Sequence, residues 1–88
     1  MTAPRVLSKV DPAYTKEAKD ANISGTVVLR LEVHTDGRAH NISVERSLDS
    51  GLDHNAVEAV AHWKFQPGQK DGKPVAVAAK IEVNYRLK

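Results

Sequence analysis

Apolar residues recur along the chain at two spacings, and the change of spacing divides it into elements. Tyr14, Ala18 and Ala21 fall at i, i+4 and i+7, one face of a short helix, while Lys16, Glu17, Lys19 and Asp20 take the outer face. Asp11-Pro12 offers this helix a start, with Asp as N-cap and Pro at the first helical position, and Thr15 is a competing cap. From Thr26 the period becomes two. Val27, Leu29, Leu31 and Val33 point one way and Arg30, Glu32 and His34 the other, the pattern of a half-buried strand. Asp36-Gly37 then signals a hairpin. A two-residue turn is predicted, setting Leu31 opposite Ile42 and Leu29 opposite Val44. A three-residue loop with a bulge at Gly37 would need a second irregularity before Ile42 to restore that parity.

Ser47 to Gly51 reads as a polar loop. Leu52, Ala56, Ala59, Val60 and Trp63 then recur at helical spacing, with Asp49, Ser50 and Asp53 as alternative caps. Pro67 ends this helix, because the residue before a proline is pushed out of the α region. Gln66 to Pro74 is a predicted loop with Asp71-Gly72 as its turn. The last strand is the cleanest pattern: Val75, Val77, Ala79, Ile81, Val83, Tyr85 and Leu87 on one face, Ala76, Ala78, Lys80, Glu82, Asn84, Arg86 and Lys88 on the other. The expected fold is α+β, a three-stranded antiparallel sheet with two helices packed on one face, in the order α-β-β-α-β. Residues 1–10 form an extended lead-in, with Val6, Leu7 and Val10 available to pack, and 11–88 a single domain.

Composition narrows the function more than it defines it. Eighty-eight residues allow one small domain, and 41% hydrophobic residues are enough for one modest core. A net charge of +2 with four aromatics (one Trp, two Tyr, one Phe) argues against a nucleic-acid partner. No cysteine means no disulfide, no thiol nucleophile and no Cys-ligated metal. The longest apolar run, Val75 to Ala79, is too short to cross a membrane. His34 and His40 flank the hairpin turn within reach of each other, but beyond Asp36 no third ligand is evident. His54 and His62 lie roughly two helical turns apart. Glu32 and Glu45 meet, if at all, on the wet face, without a pocket to tune them. No hydrolase, phosphate-loop or zinc motif occurs. The expectation is therefore no enzyme, no catalytic residue, no cofactor and no metal.

The remaining feature is the last strand. At a sheet edge, its unpaired N–H and C=O groups would accept an extended peptide as a further strand, although Lys80, Arg86 and Lys88 also suit a strand that discourages pairing.

The segment Leu52-Asp53, Ala56-Val57, Ala59-Val60 and Trp63-Lys64-Phe65-Gln66-Pro67 resembles the signature of the TonB C-terminal domain family. Asp11-Pro12-Ala13-Tyr14, Ile23-Ser24-Gly25-Thr26-Val27, Asp36-Gly37 and Asp71-Gly72-Lys73-Pro74-Val75 agree with it in order, from about Pro4 to the C-terminus. Thr15 departs from the pattern, in which proline is frequent. The resemblance implies a periplasmic domain, tethered to the inner membrane in the full-length protein and moved by a proton-driven motor complex through an N-terminal anchor. It implies that the domain grips the TonB box peptide of an outer-membrane transporter by strand addition, in the uptake of iron chelates, cobalamin or other scarce ligands. The gripping strand maps to Val77, Ala78, Ala79, Lys80, Ile81, Glu82, Val83, Asn84, Tyr85 and Arg86. The outer-face residues Lys80, Glu82, Asn84 and Arg86 are expected to choose among partners. The alternative is a homologous module of another envelope protein that pairs with its own copy as a homodimer. On either reading the sequence is expected to be an excised domain or an attached module.

Overall fold

Strict alternation in one strand and helical spacing in one segment account for most of the buried surface. The computed structural model describes residues 2–87, so Lys88 lies outside it. In chain order the elements are β1 (Arg5–Ser8), α1 (Lys16–Asp20), β2 (Gly25–Val33), β3 (Ala39–Arg46), α2 (Ser50–Ala61), β4 (Lys64–Gln66), β5 (Gly68–Lys70), β6 (Lys73–Val75) and β7 (Val77–Tyr85). Strands β3, β2 and β7 form an antiparallel sheet in that order, so β2 is central. Its odd residues Val27, Leu29, Leu31 and Val33 are buried against Leu52, Ala56 and Val60 of α2, with Trp63, Phe65, Val83 and Tyr85 closing the core. Each of these side chains removes about 1.5–3 kcal/mol worth of apolar surface from water.

The expected α-β-β-α-β order with a single three-stranded sheet is incomplete. Two further two-stranded sheets, β1 with β4 and β5 with β6, lie outside it. The lead-in is more regular than predicted, because Val6 pairs with Phe65 and Arg5 with Gln66. Trp63 Nε1 donates to the Val10 carbonyl at 2.9 Å, tying the same segment to the end of α2. The stretch predicted as a loop after Gln66 holds the β5–β6 hairpin. Asp71 and Gly72 both have positive φ (54° and 77°), the type I′ geometry that closes a two-residue hairpin, so their turn forms as expected and zips its flanks together.

Between the alternative caps the structure chooses clearly. Thr15, not Asp11, caps α1, its hydroxyl accepting from Ala18 N at 3.0 Å. The helix is therefore only five residues long, and of its predicted face Ala18 is buried while Ala21 is an exposed C-cap. Tyr14 packs edge-on to Tyr85, ring centroids 5.2 Å apart, and donates to the Ile23 carbonyl at 2.6 Å. Asp49 caps α2, accepting from Gly51 N and Leu52 N, each at 3.1 Å. Asp53 serves the preceding loop instead. Its carboxylate accepts from Ser47 Oγ, from Leu48 N at 3.0 Å and from Asp49 N at 3.4 Å.

The β2–β3 hairpin takes the longer of its two alternatives. Gly37 N donates to His34 O at 3.0 Å and His34 N to Arg38 O at 3.1 Å, with Gly37 at φ 77°. That is a three-residue loop with a glycine bulge, not the two-residue turn expected. The second irregularity this requires is at Asn41, whose φ of 52° inserts one extra residue between the Glu32–His40 and Arg30–Ser43 pairs. Parity is restored, and Leu29 faces Val44 as expected. A further shift follows at Glu45, where Val28 pairs with Arg46.

Candidate functional site

The two edges of the main sheet differ. Edge strand β3 is interrupted twice, and such bulges bend a strand and spoil it as a template for further pairing. Edge strand β7 pairs with β2 without a break from Gly25–Tyr85 to Val33–Val77. No named strand lies on its other side.

The hydrogen bond from His34 N to Arg38 O shows which way the backbone groups of β2 point. His34 turns its N–H toward β3, so along a regular strand Glu32, Arg30 and Val28 do the same. The odd residues of β2 therefore bond to β7, and their partners Val77, Ala79, Ile81, Val83 and Tyr85 spend their own groups on β2. Ala78, Lys80, Glu82 and Asn84 are left with N–H and C=O directed away from the sheet, a row about 20 Å long.

The ten residues expected to form the site divide accordingly. Val83 and Tyr85 are core residues, and Val77, Ala79 and Ile81 are half-buried on the inner face, an apolar shelf beside the edge. Ala78, Lys80, Glu82 and Asn84 are exposed on the face away from α2, and Arg86 lies just past the end of β7. Tyr85 donates to the Leu52 carbonyl at 3.0 Å, and burial, reinforced by the Asp53 carboxylate and Tyr14, pushes its hydroxyl up to about 12.

Side chains of the outer face pair across the sheet. Glu45 of β3 receives Lys80 Nζ at 3.0 Å and Arg30 Nε at 3.2 Å, and the Lys80 contact in particular holds its carboxyl below the usual range. Thr26 Oγ1 donates to Asn84 Oδ1 at 2.7 Å. Glu45 therefore meets Lys80, not Glu32, a contact the sequence pattern hid because the register shift at Glu45 changes its place along β3.

At the hairpin end the rings of His34 and His40 do come together, stacked at 4.0 Å. Their Nε2 atoms turn to separate carboxylates, His34 to Glu32 at 3.0 Å and His40 to Asp36 at 2.9 Å. Those imidazoles, with Asn41 on Glu32 and the Arg38 amide on Asp36, keep both carboxyls below their ordinary range. Among the described residues no group of three or more His, Asp or Glu side chains is disposed to hold a metal. No helix there is long and apolar enough to cross a membrane.

Comparison with known proteins bears on the chain as a whole. Residues 10–87 match the model of the Gram-negative bacterial TonB protein C-terminal. Protein TonB of Vibrio cholerae is 35% identical over 85 residues, covering 93% of this chain and 34% of that protein. Protein TonB of Xanthomonas campestris pv. campestris is 34% identical over 77 residues, covering 86% of this chain and 34% of that protein. The chain thus spans about a third of the length of these relatives. A solution NMR structure of the Pseudomonas aeruginosa TonB CTD superposes with a TM-score of 0.80 at 27% identity, over all of this chain and 90% of that one. The match runs from the lead-in that carries Val10 through α2 and Trp63 to the end of β7, and it places the chain in the TonB C-terminal domain family.

Proposed function

We propose that this chain is the periplasmic, partner-gripping domain of a TonB-type energy transducer, and that β7 takes the TonB box of an outer-membrane transporter as an added strand. The observation that carries this reading is the contrast between the edges: β3 bulged twice, β7 regular with an open row of donors and acceptors. In the full-length protein an inner-membrane anchor, driven by a proton-powered motor complex, would pull on the transporter through this strand. Shear along the strand loads the inter-strand hydrogen bonds in parallel, a suitable geometry for transmitting force.

The energetics suit a reversible grip. Four or so added backbone hydrogen bonds contribute about 0.5–1.5 kcal/mol each. Ordering the peptide offsets much of that. Apolar contacts with the shelf of Ala79 and Ile81 are then needed to approach the ~8 kcal/mol of micromolar binding.

The test is an NMR amide-shift titration with N-terminal peptides from the source organism's outer-membrane transporters. Shifts confined to Val77–Arg86 and its β2 neighbours are expected. A proline variant sharpens the assay. Lys80→Pro removes an outward N–H and leaves the β2–β7 ladder intact, so the domain should stay folded and lose binding. Ile81→Pro removes a ladder donor and should unfold the sheet. Undiminished binding by Lys80→Pro, or shifts mapped to β3, would refute strand addition at β7. Concentration-dependent sedimentation of the chain without peptide would instead favour pairing of β7 with a second copy.

A further inference from the structure

The outer face of β7 carries two formal charges within the strand, and they are not equivalent. Lys80 is already ion-paired with Glu45 at 3.0 Å, a carboxylate it shares with Arg30. Asn84 is occupied by Thr26. Glu82 is exposed and makes no ion pair among the described residues. Its partner across the ladder is Val28, which offers its side chain nothing polar, and Arg46, opposite Val28 on β3, makes no ion pair with the Glu82 carboxylate. Glu82 also belongs to the residues whose backbone groups face the open edge. A residue placed opposite it on an added strand would project its side chain onto the same outer face, with Cβ atoms ~5 Å apart.

We infer that Glu82 is a specificity determinant of this edge: the strand it takes up carries a basic side chain opposite Glu82, and apolar residues on either side that descend onto the shelf beside Ala79 and Ile81. The inference rests on strand addition at β7. The charge code has a physical reason. Backbone hydrogen bonds hold any extended peptide equally, so discrimination among peptides must come from side chains, and an opposite charge directly across a strand pair is favourable where a like charge is not. Lys80 takes little part in this choice, because an acidic residue set against it would compete with Glu45.

The experiment uses the 88-residue chain and three synthetic nine-residue peptides of alternating Val and Thr, identical except for Lys, Gln or Glu at the central outer-face position. Affinities are read by isothermal titration calorimetry and the binding site by amide shifts. The Lys peptide should bind about fivefold tighter than the Glu peptide, with Gln between them. In Glu82→Gln the difference should vanish, and in Glu82→Lys it should reverse. Because the contact lies on the surface, the preference should shrink as salt rises from low to physiological ionic strength. Equal affinities for all three peptides with shifts on β7 would overturn the charge code and leave strand addition standing. A Lys preference that persists in Glu82→Gln would overturn it too, assigning the selection to another carboxylate. No shift on β7 with any peptide would remove strand addition and the charge code together.

Discussion

Replacing Asp53 by alanine tests whether one carboxylate organises the turn from β3 into α2. Asp53 is the one charged side chain buried among the described residues, at 8% exposure. It accepts from the Ser47 hydroxyl and from the amides of Leu48 and Asp49. The shorter amide contact, 3.0 Å from the half-buried Leu48, matters most, since Ser47 is exposed and can turn to water and the Asp49 contact is long. A hydrogen bond to an ionised acceptor contributes about 1.5–3 kcal/mol. A negative charge in the first turn of a helix adds about 0.3–1 kcal/mol. Relief of the desolvated carboxylate offsets part of this, leaving an expected loss of about 2–3 kcal/mol for Asp53→Ala. A domain of this size has about 5–15 kcal/mol in total. Urea unfolding followed by far-UV circular dichroism would read that loss as a fall of about 2 M in the midpoint, for a slope of about 1 kcal/mol/M. Asp53→Asn keeps an acceptor for Leu48 and should lose only about 1 kcal/mol. Removing the charge should also lower the Tyr85 hydroxyl from about 12 without returning it to the ordinary phenol range, because burial is the larger cause. A loss below about 0.5 kcal/mol for the alanine variant, or equal losses for both variants, would refute the argument.

Two other positions give sharp contrasts. Gly37 and Gly72 share a φ of 77°, but a Cβ at Gly37 would stand 2.7 Å from the Phe65 carbonyl while one at Gly72 meets open space. Gly72→Ala should therefore cost about 1 kcal/mol, and Gly37→Ala distinctly more, because it also displaces the strand whose Phe65 amide donates to Gly37 O at 2.9 Å. Equal drops in melting temperature would count against that packing. Tyr85→Phe loses the bond to Leu52 and about 1 kcal/mol at neutral pH. Tyr85 titrates at about 12 in the folded chain, above the ordinary phenol value of 10.0. Its stabilising share is whole below pH 10 and is lost as pH rises through about 12. Wild type should thus lose its advantage over Tyr85→Phe above pH 10 and fall below that variant as pH approaches 12, because the cost of ionising the buried hydroxyl exceeds the ~1 kcal/mol of its hydrogen bond. A constant gap in denaturant midpoints across that window would contradict the assignment.

Long periodic elements were legible in the sequence and short ones were not, for a physical reason. Leu52, Ala56, Ala59 and Val60 repeat at helical spacing within α2, and the alternation of β7 runs nine residues, so each pattern excludes the other secondary structure. The helix nevertheless stops at Ala61, before Trp63 and well short of Pro67, because β4 begins at Lys64. Strands β4, β5 and β6 have three residues each, too few to show any period. They exist because Phe65 reaches back to Val6 and because Asp71-Gly72 closes a tight turn. For the β2–β3 loop, Asp36-Gly37 suits both a two-residue turn and a glycine bulge. The choice depended on Asn41, whose left-handed backbone the sequence alone does not announce, though asparagine is among the few residues that tolerate it.

The register of that hairpin has a consequence at the opposite edge of the sheet. With a two-residue turn at Asp36-Gly37, β3 would pair without the interruption at Asn41 and would be broken only near its end, at Glu45, leaving a longer regular stretch on that edge. The bulges at Asn41 and Glu45 leave β7 as the edge whose pairing runs without interruption, the property that the proposed strand addition requires. They also bring the Glu45 carboxylate to within 3.0 Å of Lys80 and so leave Glu82 as the uncompensated charge of the strand. On the proposed strand addition, local irregularity in one strand thus bears on both which edge is open and what charge an added strand meets there. A deletion of Asn41 removes the extra residue and keeps Ser43 opposite Arg30 and Val44 opposite Leu29, so it straightens β3 without moving its side chains to the other face. Glu45 should then stay beside Lys80 and the charge preference at Glu82 persist. The straighter β3 should compete with β7 for the neutral peptide, a competition that new amide shifts on β3 would reveal.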